Sequence, residues 1–195
     1  MKKPLIIIIF IISAISFITL KSVYAQGQSR YLQGVEFLTG FGRAELIKKK
    51  DYQVIPLVVD FDFNLKPLTK RFGLNPFSLI QFQLEPFLSL VTQPKINTEV
   101  GTSFLLKLGL LPEGSKFQPY VKAGTGIIWL SQHTLEQSTQ FNFLVQGGAG
   151  LHYFFKQATA FTLEYRFRHL SNASIKQPNS GIDNHFCLLG ITRLF

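Results

Sequence analysis

"VVDFDFNL", Val58 to Leu65, is the stretch in which the fold is most legible. Val59, Phe61 and Phe63 share one parity, and Asp60, Asp62 and Asn64 the other. Successive side chains of a β-strand point to opposite faces, so this segment reads as a strand with one apolar and one polar side. A water-soluble sandwich and a membrane barrel both produce that alternation. The rest of the chain decides between them.

Working outward, aromatic and β-branched residues recur in segments of about ten, the length a tilted membrane strand needs. They cover Gln33–Gly42, Gln53–Asn64, Leu79–Val91, Val100–Leu111, Gln118–Leu130, Asn142–Phe155, Ala160–Ser171 and Asp183–Phe195. Turn-forming residues separate several of them: Asn75-Pro76, Gln93-Pro94, Pro112-Glu113-Gly114 and Pro178-Asn179-Ser180-Gly181. Residues 1–25 read as a cleaved signal peptide, with Lys2 and Lys3, an apolar run from Leu5 to Leu20, and Val23-Tyr24-Ala25 before Gln26. An uncleaved anchor is the alternative, although a spanning helix usually needs roughly 20 apolar residues. The export signal, the 20 Phe and the terminal aromatic Phe195 favour the membrane over the sandwich. The expectation is an all-β fold, an eight-stranded antiparallel transmembrane β-barrel over residues 26–195, forming one domain. Arg193 departs from the pattern, because it shares a parity with Ile191 and Phe195.

Gly124-Thr125-Gly126 and Gly147-Gly148-Ala149-Gly150 lie inside strand segments. Neither leads into a helix-forming pattern, so curvature or close packing explains them better than a phosphate cradle. With both ends of the barrel in the periplasm, Lys156-Gln157 makes a short periplasmic turn. Lys66–Asn75 is long for such a turn, and Gln93–Asn97 is short for an external loop.

The whole chain carries a formal charge of +9, which loses Lys2, Lys3 and Lys21 on cleavage and falls by three to +6. That charge suits an anionic lipid surface, although Lys48-Lys49-Lys50 and Lys70-Arg71 read equally as solvated loop charges. Nucleic acid is not an expected partner of an exported chain. Cys187 is the sole cysteine, so no intramolecular disulfide forms, and a small apolar residue in a strand explains it better than a catalytic thiol.

Chemistry concentrates in "FTLEYRFRHLSNASIKQPNSGIDNHF", Phe161 to Phe186. Phe161, Leu163, Tyr165 and Phe167 take one parity, and Thr162, Glu164, Arg166 and Arg168 the other. His169 and Ser171 continue the apolar, lipid-facing series. Two residues apart on one face, an imidazole and a hydroxyl come within hydrogen-bonding reach. Alone, such a pair is more often an ordinary interfacial His and Ser. Asp183 opens the next strand, and an antiparallel hairpin returns its carboxylate alongside His169, where it would hold the imidazole tautomer. Asn172 could donate to an oxyanion or simply start a turn.

"RHLSNASIKQPNSGIDNH" resembles the active-site segment of the PagL family of lipid A 3-O-deacylases. The family has a His, a Ser two residues later, an Asn beside that Ser and an acid after a Pro-Asn-Gly type loop. The resemblance implies His169 as general base, Ser171 as nucleophile, Asp183 as orienting acid and Asn172 in the oxyanion hole. It also implies an outer-membrane enzyme, a carboxylic ester hydrolase that releases a 3-hydroxyacyl chain from lipid A of lipopolysaccharide, using neither metal nor cofactor. The specific likeness spans about the last thirty residues, and it departs at the acid, which is commonly Glu in the family. A shorter Asp has to be brought about one carbon closer. Glu164 cannot replace it, lying on the opposite face.

Two other classes remain on sequence alone: a structural or adhesive barrel whose His169 and Ser171 are merely interfacial, and a soluble periplasmic lipid-binding barrel. The apolar outer parity of the seventh strand argues against the latter. His133, His152 and His185 lack a metal-binding spacing, while Trp129 and Tyr31 suit interfacial anchors. Whether the barrel forms a homodimer is open at this level.

Overall fold

The sheet closes on itself because its first and last strands pair. The computed structural model describes residues 31–47, 51–132, 134 and 136–195. The expected signal peptide, Lys48-Lys49-Lys50 and His133 lie outside the described residues. Eight strands follow in order: β1 (Leu32–Glu45), β2 (Asp51–Asn64), β3 (Ser78–Gln93), β4 (Asn97–Pro112), β5 (Phe117–Leu130), β6 (Phe141–Lys156), β7 (Thr159–Ser171) and β8 (Ile182–Leu194). Each pairs antiparallel with the next, and β1 pairs with β8 to complete the barrel. The strands run to 13–16 residues, and all but the last are one to four residues longer than the segments read from the apolar pattern. Ladder pairing continues past the lipid-facing belt, where polar side chains no longer reveal the strand.

Outward positions form an apolar wall, with Leu57, Phe104, Val121, Val145, Phe161 and Leu189 all exposed. Such a surface is stable only against lipid. Cys187 belongs to this exposed series. Arg193 falls at its edge, where its guanidinium donates to Thr159 Oγ1 at 2.6 Å.

The lumen is filled. Arg166 bridges Glu85 and Glu164, each at 2.6 Å, and Lys122 reaches Glu164 at 2.8 Å. Lys107 pairs with Glu36 and lies 3.6 Å from Asp62. Arg168 holds Glu99 at 3.0 Å, and the Tyr52 hydroxyl donates to the same carboxylate at 2.6 Å. Gly150 leaves room for Tyr120, since a Cβ there would collide with the ring, and the Tyr120 hydroxyl donates to Glu164 at 2.7 Å. Alternation in the second and seventh strands predicts a polar or charged inner face there. Instead, its loop-side end is an apolar plug that includes Val54, Phe87, Val91, Leu130, Leu170 and Ile182. An eight-stranded barrel is just wide enough for side chains to fill, so both layers exclude a water channel.

Removing one member of a buried ion pair strands its partners without compensation. Arg166→Met is therefore expected to destabilise the barrel by about 3–5 kcal/mol. The measurement is the temperature at which its compact, heat-modifiable form is lost on a gel; an unchanged temperature would show that Lys122 alone satisfies both carboxylates.

One connection is not a simple turn. The long β2–β3 crossing contains a short helix, α1 (Lys66–Arg71), with Pro67 in its first turn. It ends on Gly73 at φ 74°, with Gly73 N–H bonding Lys70 O and Leu74 N–H bonding Thr69 O. This double closure with a left-handed glycine is the Schellman ending. Pro67 and Gly73 were the available sequence signals for it.

Candidate active site

Strands β7 and β8 are in register such that His169 lies directly opposite Asp183. Both project from the outer face, with side-chain exposures of 40% and 61%, and His169 Nδ1 lies 2.6 Å from Asp183 Oδ1. A carboxylate at that distance accepts the Nδ1 proton, which leaves Nε2 as the free, basic nitrogen. The direct cross-strand pairing lets the shorter Asp reach the ring.

Ser171 follows His169 on the same outward parity and is partly exposed at the end of β7. Its hydroxyl makes no hydrogen bond among the described residues, so the bond to His169 that their spacing suggests is not formed in this structure.

Asn172 takes the inward parity and is buried. Its side-chain amide donates to Lys176 O at 2.7 Å and to Ser138 Oγ at 3.3 Å, while its backbone N–H donates to Asn179 Oδ1 at 2.8 Å. The donors that sequence reasoning assigned to an oxyanion are thus engaged in holding the loop. Asn172 also begins a tight turn: Ile175 N–H bonds Asn172 O at 3.1 Å across Ala173 and Ser174, at φ 52° and 63°. Two left-handed residues in succession define a type I′ turn, unusual without glycine and sustained here by the surrounding bonds.

The loop over residues 172–181 is fastened to the loop over 131–140. Ser138 N–H bonds Pro178 O at 3.1 Å, Ser180 N–H bonds Glu136 O at 2.9 Å, and Gln137 forms a bridge with Asn179. Glu136 in turn accepts Ile47 N–H at 2.9 Å, so three connections lock together at this end. None of this was visible in the polar stretch "SQHTLEQSTQ", which carries no pairing signal.

Gly181 is a further residue missed by sequence reasoning. At φ 78° it packs on the His169 imidazole, and an added Cβ would lie 2.5 Å from His169 Cε1. Gly181→Ala is expected to strain the backbone and push the ring off Asp183. The NMR shifts of the His169 ring nitrogens in wild type and variant, measured in the same detergent, check this. Unchanged shifts would mean that the His169 ring does not depend on Gly181 for its position.

One row further along, the Tyr165 hydroxyl and His185 Nδ1 share a hydrogen bond of 2.7 Å on the same outer wall. Beside β7, the wall turns small: Gly147 lies opposite Phe167, Ala149 opposite Tyr165, and Ala123 opposite Gly147. These small residues follow Val145, the cross-strand neighbour of His169, along the same face. Lumenal His152 is occupied otherwise, 2.9 Å from Thr162 Oγ1 and stacked on Tyr120. Among the described residues no cluster fits a metal ion.

A closed barrel with an apolar exterior, a filled lumen and a histidine–carboxylate pair beside a serine on its lipid-facing wall defines a class: outer-membrane β-barrels with chemistry on the outside. The model of the lipid A 3-O-deacylase (PagL) family matches residues 63–192, and the chain belongs to that family. It is accordingly an outer-membrane protein of a lipid A deacylase family. No curated protein sequence matches the chain. Among solved structures, the outer membrane enzyme PagL aligns with TM-score 0.62 and 16% identity, over 80% of this chain and 97% of that one. Neisserial surface protein A aligns with TM-score 0.60 and 10% identity, over 86% and 98%. At these identities the two structures speak to the fold alone.

Proposed function

We propose that this protein hydrolyses the ester that joins a 3-hydroxyacyl chain to the 3-O position of lipid A, by a Ser171–His169–Asp183 mechanism. The observation that carries the reading is the 2.6 Å His169–Asp183 contact on a lipid-facing wall with Ser171 next along the same face. Such a group gains nothing for packing against lipid, whereas a substrate residing in the membrane would meet it directly.

His169 Nε2 takes the Ser171 hydroxyl proton as Oγ attacks the ester carbonyl, and Asp183 stabilises the imidazolium. The tetrahedral oxyanion needs a donor. Asn179 has a less engaged donor than Asn172, since its Nδ2 makes only a long 3.5 Å bond to Ser174 Oγ while its Oδ1 accepts Asn172 N–H at 2.8 Å. Collapse breaks the bond to the sugar oxygen, which receives the proton from His169, and leaves the acyl group on Ser171. Water, deprotonated by the same nitrogen, then releases the hydroxy fatty acid. The acyl chain lies over the small outward residues Ala123, Gly147 and Ala149, with Phe167 and Tyr165 on its flank.

With even strand number, both barrel ends lie on one side, and bacterial barrels keep their short turns in the periplasm. The two-residue Gln157-Ala158 turn then faces inward, and the loops around Ser171 sit at the leaflet that holds lipopolysaccharide. Mass spectrometry of lipid A from cells with and without the protein is the test. Loss of one 3-hydroxyacyl chain, assigned to the 3-O position by fragmentation, is expected. Loss from another position would overturn the positional reading, and an unchanged mass the whole of it.

A further inference from the structure

The β2–β3 connection is far longer than the barrel requires. The β6–β7 crossing needs only Gln157 and Ala158, yet residues 65–77 carry α1 and a run beyond it at the same end. This run leaves large apolar side chains uncovered: Phe72 is 76% exposed, Phe77 69%, Leu74 62% and Leu68 49%. The Gly73 ending of α1 separates Phe72 from Leu74 and turns the chain back toward β3.

Charge on this segment has one sign. It contains Lys66, Lys70 and Arg71 and no acidic residue. Lys66 is paired with Glu113 of the neighbouring turn, whereas Lys70 and Arg71 are exposed and form no ion pair among the described residues. The segment is also tied down. Leu65 N–H bonds Ile80 O at 2.9 Å, and Glu113 N–H bonds Phe77 O at 3.1 Å, which keeps it at the rim of the wall made by β2, β3 and β4. That wall presents Phe63, Phe82 and Phe104 to lipid as a contiguous ladder, with centroids 6.2 and 6.4 Å apart.

We propose that residues 65–77 form a foot seated in the headgroup region of the phospholipid leaflet on the terminus side of the barrel. Leu68, Phe72, Leu74 and Phe77 enter the acyl boundary, and Lys70 and Arg71 bind the phosphodiesters of anionic phospholipid. The apolar side chains continue the lipid-facing wall past the end of the strands, and the unpaired cations match the phosphate layer met at that depth. A partner protein would also cover apolar side chains, but the continuity with the lipid belt favours the membrane itself. The foot does not depend on ester hydrolysis.

The experiment uses the full chain in vesicles of mixed phosphatidylcholine and phosphatidylglycerol. Trp129 is the sole tryptophan, so Phe72→Trp in a Trp129→Phe background reports on the foot alone. Blue-shifted emission is expected, with brominated phosphatidylglycerol quenching about twofold more than the same fraction of brominated phosphatidylcholine, in line with basic residues recruiting anionic lipid. Lys70→Gln with Arg71→Gln should abolish that difference and keep the blue shift. Emission typical of hydrated indole, unaffected by either bromolipid, would overturn membrane contact. Equal quenching by the two lipids would overturn anionic recognition. Heat-modifiable migration verifies folding, and Leu74→Trp serves if Phe72→Trp fails to fold.

Discussion

Ser171→Ala is expected to fold into a heat-modifiable barrel that no longer deacylates lipid A, with a rate loss of about 10⁴-fold or more. The size follows from what remains. Without Oγ no acyl-enzyme can form, and the His169–Asp183 pair is left to activate a water that the site does not position for direct attack. Stability should change little, because the hydroxyl makes no hydrogen bond among the described residues and is partly exposed. Purified wild type and variant, assayed on the same lipid A micelles, give the comparison. Full activity in the variant would remove Ser171 from the chemistry while leaving the fold and family untouched.

Asp183→Asn is expected to cost about 10⁴-fold in kcat with KM nearly unchanged, the scale seen when the orienting acid of such a triad is neutralised. At 2.6 Å from His169 Nδ1, a carboxylate can only accept, which fixes the proton on that nitrogen. A carboxamide can instead turn its NH2 toward the ring. The proton then moves to Nε2, where it blocks removal of the Ser171 proton. Asp183→Glu supplies the complementary result. Asp183 is 61% exposed, so a longer carboxylate has room to bow outward and return to the ring, and activity within about tenfold of wild type is expected. An Asp183→Asn enzyme as fast as wild type would mean that another group orients His169. Glu164 is not that group, being buried in the lumen against Tyr120 and Arg166.

The variants also separate the contributions of neighbouring elements. In the proposed mechanism Ser171 and His169 act from β7 and Asp183 from β8, with Gly181 seating the ring from the loop between them. A loss in kcat alone from the changes at Asp183 and Gly181, against a loss of all turnover from the change at Ser171, would mark the first two as acting through the imidazole.

Strand existence, the shared outward face of His169 and Ser171, and the inward face of Glu164 all follow from a period of two residues. That period is local, set by backbone geometry, and survives in "VVDFDFNL" and "FTLEYRFRHLS" whatever they pair with. The apolar plug was hidden because its members look like any other alternate apolar residues until the barrel closes and assigns them inward. Helix α1 was overlooked because six residues leave too short a pattern, although Pro67 and Gly73 marked its ends.

Between His169 and Asp183 the division is clearest. Residue types and hairpin order are written in the chain there, and they suffice to bring an acid back toward the imidazole. The register that sets Asp183 directly opposite His169, the engagement of Asn172 within its loop, and the seat of Gly181 on the ring are decided only in the folded barrel. The reason is physical. A one-residue slip between β7 and β8 would turn Asp183 to the other face, and nothing local to either strand forbids it. Closure of all eight strands and the bonds between the 131–140 and 172–181 loops hold that register.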